Sequence, residues 1–114
     1  MPKPGDVVTV DFAGATGIKR RPTIVVSSDL YHANRPDLIL AVLTTQVSSA
    51  TSPTDYILQD WQSAGLHAPS AFRGYFGMSL PSAVHVIGHL SEQDWQEVQR
   101  RVALTFGLPV KPNP

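Results

Sequence analysis

Two stretches of the chain join strand-forming residues to groups that grip a phosphate: Lys19-Arg20-Arg21-Pro22-Thr23-Ile24-Val25-Val26-Ser27 and Leu40-Ala41-Val42-Leu43-Thr44-Thr45-Gln46. The first begins with basic residues and the second ends in hydroxyls. An arginine meets two phosphate oxygens with a planar fork and keeps its charge. A threonine hydroxyl at a strand end adds a neutral donor from a fixed position. These groups suit phosphodiester cleavage without a metal. RNA carries its own nucleophile, the 2′-hydroxyl, which must be aligned with the leaving 5′-oxygen. The protein then has to stabilise charge on the phosphoryl oxygens and move protons.

Other chemistries lack their residues. With no cysteine, neither a disulfide scaffold nor a thiolate metal site is possible. His85 and His89 are four apart, but they fall on an expected strand, where no carboxylate motif completes a metal site. His32 and His67 fall in expected loops and read as solvated. There is no phosphate-binding glycine loop, nucleophile elbow or dinucleotide fingerprint. No metal and no cofactor is expected.

The 114 residues suffice for one domain with a modest core. An apolar content of 42% with 16% charged residues suits a folded globule. Nine basic and nine acidic residues cancel, so any nucleic acid must be held by a local basic patch. No apolar run approaches the roughly 20 residues of a membrane span, and Met1-Pro2-Lys3-Pro4-Gly5 carries no leader-like stretch. A soluble cytoplasmic protein is expected, without membrane contact.

The elements that must position the candidate groups are mostly strands. Asp6 to Phe12 is a β-branched run opened by Pro4-Gly5; Ala13 to Lys19 reads as a loop; Thr23 to Ser27 reads as a second strand with Pro22 at its start. Ser28 is placed to cap a short helical segment through Ala33. Leu38 to Leu43 is apolar throughout, the pattern of a central strand covered on both faces. Tyr56 to Leu58, Ser70 to Tyr75 and Ala83 to Gly88 are further strand candidates. A helix follows, with Ser91 as N-cap, Asp94 three residues on as in a capping box, and Leu90 and Trp95 set for a hydrophobic staple. Its apolar stripe is Trp95, Val98, Val102 and Phe106, Arg100 and Arg101 lie toward its carbonyl end, and Gly107 before Pro109 stops it. Lys111 to Pro114 reads as a frayed tail. Several short strands before one packed helix give an α+β domain built on a small, strongly curved antiparallel sheet.

In order along the chain, Gly5-Asp6-Val7, Arg21-Pro22, Thr44-Thr45-Gln46, Pro69-Ser70, Gly88-His89-Leu90-Ser91 and the Trp95 helix resemble the MazF/PemK (Kid) family of toxins from type II toxin–antitoxin systems. The resemblance covers nearly the whole chain. It implies a small SH3-like antiparallel β-barrel with a C-terminal α-helix, the CcdB/PemK-like fold, spanning residues 1–114 as one domain. It also implies an endoribonuclease, or mRNA interferase, that cleaves single-stranded RNA sequence-selectively without a metal. Carried over, the activity puts Arg21 and Thr44 in the catalytic pocket, and Arg73, just after Pro69-Ser70, on the scissile phosphate. Lys19, Arg20, Thr45, Gln46 and Tyr75 are then the expected RNA-binding residues. A homodimer binding RNA across its interface is implied, with a cognate antitoxin laying an acidic segment over the same groove.

The chain departs from the family in two places. Its first loop is short and lacks the Glu-Gln pair many relatives carry before Arg-Pro. Tyr75-Phe76 stands where several relatives place an acidic residue and a glutamine, so the usual carboxylate base is missing. Tyr75 or a histidine is left to move the proton, and a tyrosine with its ordinary pKa of about 10 is a poor base at neutral pH. Plainer readings stand beside these. Arg21 could be a solvated strand flank, Thr44 and Thr45 simple strand formers, Arg73 a surface ion-pair partner, and Tyr75 and Phe76 core or contact aromatics. Trp61 reads as a lid over the core. From a different class, a CcdB-like gyrase poison shares the fold, although the proline-rich end from Leu108 lacks an aromatic terminus. A degenerate member that binds antitoxin or RNA without cutting is a third reading.

Overall fold

The structure, a computed structural model, describes residues 1–110, with residues 12–14 described by their backbone alone. The expectation for the tail from Lys111 lies outside these residues. Six strands form one antiparallel sheet: β1 (Asp6–Gly14), β2 (Gly17–Val25), β3 (Leu38–Thr44), β4 (Tyr56–Ile57), β5 (Ala71–Ser79) and β6 (His85–His89). Their order across the sheet is β4-β5-β3-β2-β1-β6. Helix α1 (Asp29–Asn34) joins β2 to β3, and α2 (Glu92–Thr105) follows β6. Extra residues on β6 opposite the Val7–Val8 step, and on β5 opposite the Ala41–Leu43 step, interrupt the ladders of a sheet bent into a half-barrel.

The expected loop from Ala13 to Lys19 is instead the tip of a hairpin. Strands β1 and β2 stay paired to Gly14↔Gly17, which leaves Ala15 and Thr16 as the turn. Gly17, at φ +122°, supplies a backbone conformation that other residues avoid. Lys19, Arg20 and Arg21 therefore lie on a strand, where each successive side chain changes face. Pro22 sits inside β2, opposite Thr9, rather than at its start. It has no N–H to give a neighbour, and the β2–β3 ladder spans only Thr23↔Val42 to Val25↔Leu40.

Each face of the sheet carries its own cluster of buried residues. Val7, Ile24, Ala41, Leu43 and Phe72 face α2 and pack with Leu90 and Val98, while Val8, Val10, Val25, Leu38 and Leu40 form a second cluster with Val84. Strand β3 feeds both, as its unbroken apolar run requires. Trp61, Trp95 and Val102 lean on the helix-side cluster. Phe106 departs from the expected stripe: it is the helix C-cap, is largely exposed, and stacks at 5.3 Å on Phe76.

The ends of α2 are set by short-range chemistry. Ser91 Oγ accepts the Asp94 amide at 3.2 Å. Past the C-cap, Gly107 at φ +68° allows Leu108 to donate to the Ala103 carbonyl at 2.8 Å and Gly107 to the Leu104 carbonyl at 3.2 Å. The capping box is not closed. Asp94 is fully buried and turns away from the helix to accept from the Tyr56 hydroxyl (2.5 Å), the Gln59 amide (3.1 Å) and the Asp60 amide (2.8 Å). Arg101 likewise leaves the helix end, donating through Nη1 to the Pro53 and Asp55 carbonyls. Its guanidinium carbon lies 5.5 Å from the Tyr56 ring centre. Burial and the bond to Asp94 push the Tyr56 phenol well above its ordinary pKa. Two side chains of α2 thus clamp the segment 53–60, which includes β4.

Candidate functional site

The register assigns each candidate side chain to a face. Arg21 pairs directly with Val10, a member of the second cluster, so it projects on the side away from α2. Thr44 alternates with Leu40 and reaches that same side. The β2–β3 ladder ends at Thr23↔Val42, with Arg21 and Thr44 each two residues beyond that last pair on their own strands. This is where Pro22 lets β2 and β3 part. The Thr44 hydroxyl oxygen accepts the Gln46 amide at 3.1 Å, which fixes the side chain and leaves its own proton free to donate.

Arg73 reaches the same side from β5. Its neighbour Phe72 is buried on the helix-side face, and Gly74, at φ +77°, turns its bare Cα toward Thr105 of α2. Arg73 and Tyr75 flank that glycine and turn away from the helix. The Arg73 guanidinium carbon lies 5.8 Å from the Tyr75 ring centre, and Tyr75 is exposed. Pairing of Thr44 with Ala71 brings the end of β3 beside the start of β5. Pairing and parity therefore assign Arg21, Thr44, Arg73 and Tyr75 to one face: two guanidinium groups, a hydroxyl donor and an aromatic ring. That combination suits a phosphate linkage flanked by a base.

Of the remaining candidates, Lys19 shares the parity of Arg21 on β2 and is exposed. Arg20 does not join them. It lies on the opposite face, with Nε 3.0 Å from Asp11 Oδ1, and the hydrogen bond to Asp11 raises its pKa further. Thr45 and Gln46 are exposed just past β3. The histidines of known partner or strand lie elsewhere in the fold. His89 pairs with Asp6 at 2.7 Å and His32 with Ser27 at 2.6 Å, while His85 lies on β6, at the sheet edge opposite β4 and β5. Among the described residues no three His, Asp or Glu side chains gather as a metal site.

Sequence reasoning misses Asp55. Its Oδ2 lies 3.9 Å from Arg73 Nε, and it is 7% exposed. The signal was faint: an acidic residue just before a two-residue edge strand, whose relation to Arg73 depends on Tyr56 pairing with Phe72.

Solved structures share this architecture. An endoribonuclease in complex with its cognate antitoxin, from a mycobacterial species, superposes with a TM-score of 0.78 at 18% identity, covering 97% of this chain and 100% of the other. MazF in a MazE–MazF crystal from Deinococcus radiodurans gives 0.74 at 16% identity, covering 95% and 98%. The Mycobacterium tuberculosis toxin MazF-mt6 gives 0.72 at 15% identity, covering 91% and 98%. At these identities the likeness establishes the fold. No curated protein sequence is significantly similar to the chain. The family model for the PemK-like, MazF-like toxin of type II toxin–antitoxin systems does match, over residues 3–106, and the chain belongs to that family.

Proposed function

We propose that this protein is a metal-independent endoribonuclease that cleaves single-stranded RNA and acts as the toxin of its toxin–antitoxin pair. The observation that carries the reading is the shared face of Arg21, Thr44 and Arg73 where β2 and β3 separate. In the proposed reaction the 2′-oxygen loses its proton and bonds to phosphorus while the bond to the 5′-oxygen breaks. The products are a 2′,3′-cyclic phosphate and a 5′-hydroxyl, the latter formed as the leaving oxygen gains a proton. Arg21 and Arg73 stabilise the charge gathering on the phosphoryl oxygens, and the Thr44 hydroxyl donates to one of them. Tyr75 stacks on a base beside the scissile linkage, and Lys19 steers the backbone toward the site.

The partners proposed are a second copy of the chain and an antitoxin. Support for self-association comes from Met78, Leu80 and Val86, which remain largely exposed apolar side chains. Support for an antitoxin comes from family membership and from the antitoxin-bound structures this fold resembles.

The test is cleavage of a single-stranded RNA in EDTA, with the 5′ ends of the fragments mapped. The wild-type protein is expected to cut at defined sites. Arg21→Ala is expected to lose about 100-fold or more of that rate, by analogy with removal of one transition-state donor, while its thermal midpoint stays nearly unchanged. Wild-type protein that leaves RNA intact overturns the reading, and undiminished cleavage by Arg21→Ala removes the assigned site.

A further inference from the structure

We propose that Asp55 is a positioning residue for Arg73: its carboxylate holds the guanidinium by Nε and turns the terminal nitrogens toward the substrate phosphate. The inference rests on the ribonuclease reading of the site and goes beyond it, because it supplies an acidic partner from the turn that leads into β4. Arg73 Nε is buried and has no hydrogen-bond partner, yet the side chain as a whole is 30% exposed, so its exposure lies away from Nε. The nearest acid to it is Asp55 Oδ2 at 3.9 Å, an ion-pair distance too long for a hydrogen bond. In substrate-free sites catalytic contacts are often long and close only in the complex with substrate. A guanidinium held by its Nε–H keeps the edge formed by its two terminal nitrogens free for two phosphoryl oxygens. The guanidinium carbon also lies over the Tyr75 ring, 5.8 Å from its centre.

Asp55 is itself held still. Its Oδ2 accepts the Ser52 amide at 3.0 Å, and its amide donates to the Ser52 carbonyl at 2.9 Å. Arg101 of α2 takes its carbonyl, and the next residue, Tyr56, is tied to buried Asp94. The helix thus reaches the far face of the sheet through one short segment.

The experiment uses Asp55→Asn, whose amide oxygen keeps the Ser52 contact while the charge is lost. Steady-state cleavage of single-stranded RNA is expected to show kcat down by about 10- to 100-fold with KM within about threefold, the pattern of a misplaced transition-state group. The Arg73 Nε–H nuclear magnetic resonance signal is expected to be protected from solvent exchange in the wild type, to sharpen with bound RNA, and to exchange fast in the variant. An Asp55 that only closes its turn would leave kcat and this signal unchanged in Asp55→Asn, and that result overturns the proposal. Should the variant not fold, the wild-type signal decides: exchange as fast as that of an exposed arginine refutes the contact. A wild-type protein that does not cut RNA defeats the ribonuclease reading instead, and the Nε–H signal then judges the Asp55 contact alone.

Discussion

Asp94, fully buried, accepts three hydrogen bonds from outside its own helix. Its neighbours are a hydroxyl and two amides rather than a cation, so the charge is solvated by oriented dipoles in place of water. Asp94→Ala strands all three donors and is expected to cost about 3 kcal/mol or more in urea unfolding. Asp94→Asn keeps part of the set and should cost less; equal stability of Asp94→Ala and wild type would refute the clamp. The consecutive arginines of β2 show a second residue-scale effect. Arg20 is neutralised by Asp11 on one face, whereas Arg21 opposes Val10 on the other, and no ion pair is formed by Arg21 among the described residues. One step along a strand separates a surface ion pair from a candidate catalytic cation.

At the scale of elements, close approach of backbones fixes β6 against the turn that follows Trp61. A Cβ on Gly88 would fall 2.0 Å from the Ala64 carbonyl oxygen, and one on Gly65 would fall 2.2 Å from that of Ile87. Gly88→Ala is therefore expected to destabilise the fold by about 2 kcal/mol through overpacking, measured by thermal or urea unfolding, and an unchanged midpoint would contradict that packing. Signals carried by a few adjacent residues were legible in the sequence: the Ser91 cap, the Gly107 stop and the doubly buried β3 each depend on a short local pattern. The β1–β2 hairpin was not, because Ala13-Gly14-Ala15-Thr16-Gly17 carries no alternating apolar pattern and is held by the register of the strands on either side. Asp94 was read as closing its own cap because the acceptors' true donors lie in a segment about 35 residues earlier, which no local rule connects. The site followed the same division. Thr44 was legible as the end of its strand, whereas Arg21, expected at a strand start, lies inside β2, and the contact of Asp55 with Arg73 requires the β4–β5 pairing and the glycine break at Gly74.

For the whole molecule, charge balance restricts how RNA is held. Nine basic and nine acidic residues leave no general attraction for a polyanion, so affinity must come from a few cations on one face. Pairing directions in the sheet sort them: Lys19, Arg21 and Arg73 to the face away from α2, Arg20 to the other. Helix α2 contributes no group to that face, yet it fixes the segment bearing Asp55 through Arg101 and Asp94. No helix among the described residues is long and apolar enough to cross a membrane. The central claim, that strand register selects the working cations, is tested most directly by comparing Arg20→Ala with Arg21→Ala in cleavage of one single-stranded RNA in EDTA. The account predicts a rate within about threefold of wild type for Arg20→Ala and a loss of about 100-fold or more for Arg21→Ala. Equal losses in the two variants, or the greater loss in Arg20→Ala, would contradict it.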